Sequence, residues 1–434
     1  MRMDPREAIA GRPMGRLQVV IVALCIALNA VDGFDVLAIS FAAPGIAAEW
    51  GIDRATLGVV LSMELLGMAA GSVLIGHLAD RIGRRPVILG CLLAMAAGMF
   101  LAAFADSVAM LSATRLFTGL GIGGMLSSTS AMVAEFSNDR RRSLNVVLNI
   151  AGYSAGAIVG GAIASLLLAR TGHWRSVFLV GATATTLLLP LVLAWMPESV
   201  DSLIARRPRA ALERLNHVLW RLRLPALERL PDAPARAGRA SFLALFAAGQ
   251  AGPTVLLTVA YFVQIMAFYF IQKWTPKIVV DMGFDAASAA RVLVCANIGC
   301  LAGAVAVGLA SQRLRLRRLV AGAMGLSFVA ISAYGLVPRE LPWLSAAAAM
   351  AGFFTNAGVV GLYPVLVRSF AAPLRAGGTG FVIGVGRGGS ALGPVLAGAM
   401  FAGGSALLMV SATMAAGTLV AAAIVLALPR ARTD

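Results

Sequence analysis

The chain is 434 residues long, 59% hydrophobic and only 13% charged, with a mean hydropathy of +0.85. Soluble domains carry about 25% charged residues, so this composition excludes a soluble globular protein and reads as an integral membrane protein. The formal net charge of +16 lies in short arginine clusters between apolar runs, which is the pattern of membrane-flanking loops and not of a nucleic-acid-binding face.

A basic, polar segment ends at Arg16, and the apolar run after it has no small-residue cleavage pattern before its first charges, so helix 1 is expected to be retained. That run, at about 17 to 38, is long enough to cross roughly 30 Å of hydrocarbon. It holds Asp32-Gly33-Phe34-Asp35. An ionised Asp at membrane depth costs roughly 2.5 to 3.5 kcal/mol, so such residues face a bundle interior or a watery cavity. Positions three apart share one helix face. Two carboxylates about 6 Å apart at an effective dielectric of about 20 repel by roughly 3 kcal/mol. Asp32 and Asp35 are therefore a candidate proton-coupling pair. The plainer alternative is that one of them serves backbone freed by a break at Gly33.

Five more spans follow at about 56 to 79, 87 to 105, 108 to 134, 143 to 169 and 174 to 196. Glu64 in the second either pairs with Arg115 or joins a proton path. Arg115, near the start of the fourth, either snorkels to the interface or faces a cavity beside the glycine-rich run after it. In the fifth, Gly152, Gly156, Gly160 and Gly161 make a small-residue stripe suited to close helix packing. Residues 197–253 read as a linker, rich in Arg and Pro to about Ser241, with an amphipathic surface helix expected over residues 212–230. Six spans follow, at about 254 to 280, 288 to 311, 318 to 338, 343 to 370, 376 to 401 and 404 to 428. Gln264, Gln272, Lys273, Asn297 and Asn356 line a cavity or act as interhelical glue. Tyr261, Phe268, Tyr269, Phe270, Trp274, Phe353, Phe354 and Tyr363 either stack on a ring or serve structure. Arg387, deep in the eleventh span between glycines, is either half of an internal ion pair or a bidentate clamp for a carboxylate.

The expected architecture is all-α and membrane-integral: a six-helix bundle over residues 1–196, a cytoplasmic linker over 197–253 and a second six-helix bundle over 254–434. Arginine clusters occupy the N-terminus, residues 81–85, 140–142 and 313–318, the linker and the tail, whereas the alternate loops carry scattered charges. By the positive-inside rule both termini are expected to be cytoplasmic. Residues 76–85 after the second span and 308–313 after the eighth share a pattern, with Gln312 where Asp80 stood, which suggests a duplicated unit. Cys25, Cys91, Cys295 and Cys300 lie in apolar stretches without a CxxC pattern and read as small buried hydrophobes. No His-rich cluster, nucleophile with an evident base or phosphate-binding loop occurs, so neither enzyme activity, cofactor nor metal is expected.

The stretch Gly76-His77-Leu78-Ala79-Asp80-Arg81-Ile82-Gly83-Arg84-Arg85 resembles the loop signature of the major facilitator superfamily. More narrowly, Asp32-Gly33-Phe34-Asp35, Ala43-Pro44, Glu49-Trp50-Gly51, the run from Arg115 to Gly124, Gly172-His173-Trp174-Arg175, Pro197-Glu198-Ser199 and Trp274-Thr275-Pro276 resemble the aromatic acid:proton symporters. So does the stretch from Arg375 to Gly389. The resemblance implies import of benzoate or hydroxybenzoate-type acids with protons across a bacterial-type inner membrane, by a chain that works as a monomer. It implies coupling at Asp32 and Asp35, gating at Asp80 and transport roles for Arg375 and Arg387. Taken with the reading of the residues, substrate binding is expected at Arg115 and Arg387, and gating at Asp80, Arg81, Arg84, Arg85 and Arg375. Drug exporters carry a proline after the second glycine of the fifth helix, where this chain has Ala157. A symporter for a sugar acid, sialic acid or dicarboxylate, or an exporter of the same fold, are the alternatives.

Overall fold

In the computed structural model the described residues are 4–231, 245–247, 250–371 and 374–428, without the side chains of His77, Asp80 and Ala376. Among them are sixteen helices and no strand. The first nine are α1 (Pro5–Gly11), α2 (Arg16–Trp50), α3 (Arg54–Ile82), α4 (Arg84–Ala103), α5 (Val108–Phe136), α6 (Asp139–Thr171), α7 (Arg175–Trp195), α8 (Val200–Arg206) and α9 (Ala211–Arg221). The rest are α10 (Ala251–Asp281), α11 (Ala286–Ala310), α12 (Leu316–Tyr334), α13 (Leu341–Ser369), α14 (Arg375–Gly386), α15 (Gly388–Ala402) and α16 (Leu407–Ala427). Twelve spans are long and apolar enough to cross a membrane, the eleventh running through α14 and α15.

Helix starts follow local chemistry. The Ser107 hydroxyl accepts from the Met110 amide at 3.3 Å to open α5, and the Asp285 carboxylate accepts from the Ser288 amide at 2.8 Å to open α11. Three boundaries differ from the sequence reading. Helix α2 does not stop near residue 38 but runs unbroken to Trp50, through Gly33 and Pro44. The surface helix expected over residues 212–230 ends at Arg221. Pro225 disfavours helical backbone just ahead of it, and the Asn216 side chain binds the Leu227 backbone on both sides, at 2.8 and 2.9 Å, folding the chain back. The eleventh span is interrupted at Arg387.

The chain divides into two compact units that do not follow the two sequence halves. Unit 1 comprises Met1–Val36, Gly67–Ala157 and Phe178–Ala237. In it, the glycine stripe of α6 lets α2 come very close: a Cβ on Gly33 would sit 1.9 Å from the Tyr153 carbonyl oxygen, and one on Gly156 would sit 1.8 Å from that of Ala30. Gly33 is thus a packing residue and not a helix break. Unit 2 comprises Leu37–Leu66, Ile158–Val177 and Gly238–Asp434, so the last part of α2, the first part of α3 and the last part of α6 pack with the second half of the chain. Its core gathers Leu257, Tyr261, Met324, Leu362, Val382 and Val425.

Candidate functional site

In unit 1, Asp32 and Asp35 are both buried in the middle of α2 and lie within electrostatic range of each other. Neither oxygen of Asp32 has a hydrogen-bond partner among the described residues. Beside the pair, Arg115 of α5 is fully buried. It donates from Nη2 to the Asp35 carbonyl oxygen at 2.8 Å and from Nη1 to Met99 Sδ at 2.9 Å, and its guanidinium lies 5.4 Å from the centre of the Phe178 ring. The snorkelling alternative is therefore overturned, because the side chain is held inside the unit by these contacts. One turn before Asp32, Asn29 donates to the Asn149 carbonyl oxygen at 3.0 Å, and Thr129 lies 3.5 Å from its amide oxygen. Sequence reasoning passed over Asn29, although its spacing from Asp32 was the available signal.

The arginine loop is tied down within the same unit. Glu198, from the Pro197-Glu198-Ser199 stretch, accepts from the backbone amides of Arg84 and Arg85 at 2.9 and 3.2 Å, which places an anion at the N-terminus of α4. Gly83 sits there at φ +107°, a backbone state that favours glycine, and a Cβ would meet Glu198 Oε2 at 2.4 Å. Arg84 is ion-paired with Glu135, whose carboxylate accepts from the Ser199 hydroxyl at 2.5 Å. Arg85 donates to the Leu193 carbonyl oxygen at 2.8 Å. Arg81 is exposed, and the Asp80 side chain lies outside the described residues.

In unit 2, Glu64 of α3 is paired with Lys273 of α10, Nζ to Oε2 3.3 Å, with both side chains at 0% exposure. Neither alternative for Glu64 had named this partner, which is 209 residues away in the chain. Next to Lys273, the amides of Gln272 and Asn297 bond to each other at 3.1 and 3.2 Å. The Trp274 indole donates to the Pro394 carbonyl oxygen at 3.1 Å. At the end of these helices Arg54 pairs with Asp281 at 3.1 Å, and Asp281 also binds Lys277. A cavity of about 340 Å³ opens there, lined among others by Arg54, Arg339, Trp274 and Phe401. At that end too the Glu49-Trp50 and Trp174-Arg175 motifs meet: Glu49 accepts from the Trp174 indole and from Arg175, both at 2.7 Å.

Arg387 is half-buried at the junction of α14 and α15. Its carbonyl oxygen accepts from the Ser390 hydroxyl at 2.6 Å, and its charge lies within electrostatic range of the Tyr261 hydroxyl. Tyr261 and Tyr363 pack edge to face with hydroxyls 3.4 Å apart. A permanent cation beside phenolic rings suits an aromatic anion, which needs a charged fork and an apolar wall. Arg375 is exposed at the start of α14, apart from any described contact with this cluster. Among the described residues no group of His, Cys, Asp and Glu could hold a metal ion.

Comparison with known proteins gives the family and the fold. The chain is 30% identical over 433 residues to the gallate transporter of Pseudomonas putida, covering 99% of this chain and 96% of that one. It is 31% identical to the 4-hydroxybenzoate transporter PcaK of Acinetobacter baylyi, covering 90% and 86%. The crystal structure of a D-xylose-proton symporter shares the fold, with TM-score 0.72 over 96% of this chain and 99% of the other, at 16% identity. Residues 25–338 match the family model of the Major Facilitator Superfamily. The chain is accordingly a multi-pass membrane transporter, not an enzyme, and belongs to the Major Facilitator Superfamily, where relatives along almost its whole length are aromatic acid transporters.

Proposed function

We propose that this transporter imports an aromatic monocarboxylate of the benzoate or hydroxybenzoate type together with protons, across a bacterial-type cytoplasmic membrane. The observation that carries the reading is the buried acidic pair of α2, Asp32 and Asp35, with Arg115 against it. Charged groups at such depth mark ion and substrate pathways. Asp32 and Asp35 carry the proton, Arg115 holds the backbone of the pair in place, and Arg387 clamps the substrate carboxylate while the tyrosines around it meet the ring. The names of the relatives support the aromatic cargo. The arginine distribution supports cytoplasmic termini and a cytoplasmic linker. In this reading the bundles over residues 1–196 and 254–434 are the two moving bodies. Asp80 with Arg81, Arg84 and Arg85, and Arg375 on the opposite half, gate the cytoplasmic side of a monomer.

Uptake of radiolabelled 4-hydroxybenzoate into proteoliposomes with an imposed inward proton gradient tests it. Accumulation that collapses with a protonophore is expected. Accumulation of gluconate or sialic acid and not of any aromatic acid would overturn the substrate class.

A further inference from the structure

The Glu64 and Lys273 pair belongs to neither the acidic pair nor the Arg387 cluster. Glu64 lies ten residues along α3 from Arg54 and Lys273 eight residues back from Asp281, about 15 and 12 Å from the end where those two pair, so both sit near mid-membrane depth. A fully buried ion pair is weak stabilisation, because removing both charges from water offsets their attraction. Such a pair inside a transporter is better explained by the path of a charged cargo. Helix α10 is also set to aim Lys273 at one place. The neighbours on either side are occupied elsewhere, Gln272 by Asn297 and Trp274 by Pro394, and these bonds fix the rotation of the helix. What the Lys273 ammonium holds is a carboxylate on a rotatable side chain. Lysine presents a compact charge to one oxygen at a time and releases it more easily than a bidentate arginine fork.

We propose that Lys273 is a carboxylate-binding residue for the transported acid, and that Glu64 is the internal carboxylate occupying its place when no acid is bound. Binding is then an exchange of carboxylates at one ammonium. Turning Glu64 out of the pair weakens the apparent affinity of every incoming acid. The proposal rests on the reading that the cargo is an organic anion, and deepens it by naming a cation that the family resemblance did not single out.

The test is equilibrium binding of radiolabelled 4-hydroxybenzoate to purified full-length protein, with monodispersity checked for each variant. Glu64→Gln keeps shape and removes the competitor, so its Kd is expected to tighten by about tenfold, the factor for one charge-assisted bond. The double variant Glu64→Gln, Lys273→Met removes both charges and so leaves no unpaired buried charge, and its Kd is expected to weaken about tenfold or more against wild type. Lys273→Arg in the Glu64→Gln background should restore part of the loss, which a merely structural lysine would not do. An unchanged Kd in Glu64→Gln, or a double variant that binds like wild type, overturns the exchange. If wild type binds gluconate and no aromatic acid, the aromatic reading fails, and the same variants titrated with gluconate still decide the role of Lys273.

Discussion

Asp32, Asp35 and Gly33 occupy one turn of α2 and answer to different forces. The carboxylates are buried at a cost that the proposed proton coupling would explain, whereas Gly33 is dictated by the Tyr153 carbonyl oxygen 1.9 Å from where a Cβ would lie. Asp35→Asn is expected to abolish accumulation of substrate against a gradient while leaving downhill exchange of labelled acid measurable. Proton-driven accumulation by the Asp32→Asn, Asp35→Asn double variant would remove the pair from the coupling step. Gly33→Ala is expected to force α2 and α6 apart and destabilise the protein by about 1 to 3 kcal/mol, as overpacking does. Gly90→Ala on α4 meets nothing within 4 Å and should leave the melting temperature unchanged or slightly raised. Thermal unfolding in detergent compares the two, and equal melting temperatures would contradict the packing role.

At the scale of elements, the interruption between α14 and α15 puts Arg387 at a helix junction, with Ser390 bound to its carbonyl oxygen. Arg387→Lys keeps the charge and removes the fork, so affinity for benzoate-type acids is expected to fall about tenfold or more, in line with roughly 1.5 to 3 kcal/mol for a charge-assisted hydrogen bond. The amide analogue of the acid should bind neither protein. Equal affinity of variant and wild type would make Arg387 structural. A second element-scale test concerns the start of α11. Hydrogen bonds from the backbone and side chain of Ser288 hold the Asp285 carboxyl below its ordinary range. A depressed folded-state pKa contributes stability that is present above the unfolded value of about 3.9 and lost as pH falls through the folded one. Asp285→Ala removes this cap and, at an exposed position, is expected to cost about 0.5 to 1 kcal/mol at neutral pH, and the difference from wild type should shrink in acid.

For the whole molecule, the arginine distribution makes a map that chemistry can check. Single cysteines placed in the linker at the exposed Arg209 and in the loop at the exposed Ser107, in a background without Cys25, Cys91, Cys295 and Cys300, should differ in reactivity toward an impermeant thiol reagent. In intact cells Ser107→Cys is expected to label and Arg209→Cys only after permeabilisation. The opposite pattern would invert the topology.

Length and apolar runs were enough to determine the membrane class and the twelve spans, because a helix in hydrocarbon must be about twenty apolar residues long wherever it packs, and the family was legible in the loop signature over residues 76–85. The buried acids of α2 were legible for the same reason, since a charge within an apolar run stands out against its local cost. Contacts between distant segments were not. That Glu198 caps α4, that Arg115 turns inward to the Asp35 carbonyl oxygen and that Glu64 meets Lys273 depend on which helix faces lie together. In apolar helices polar and lipid-facing sides differ little in composition, so the periodicity that orients a soluble helix carries almost no signal. Only the tertiary packing, set by small residues and close backbone approach, decided which charges meet.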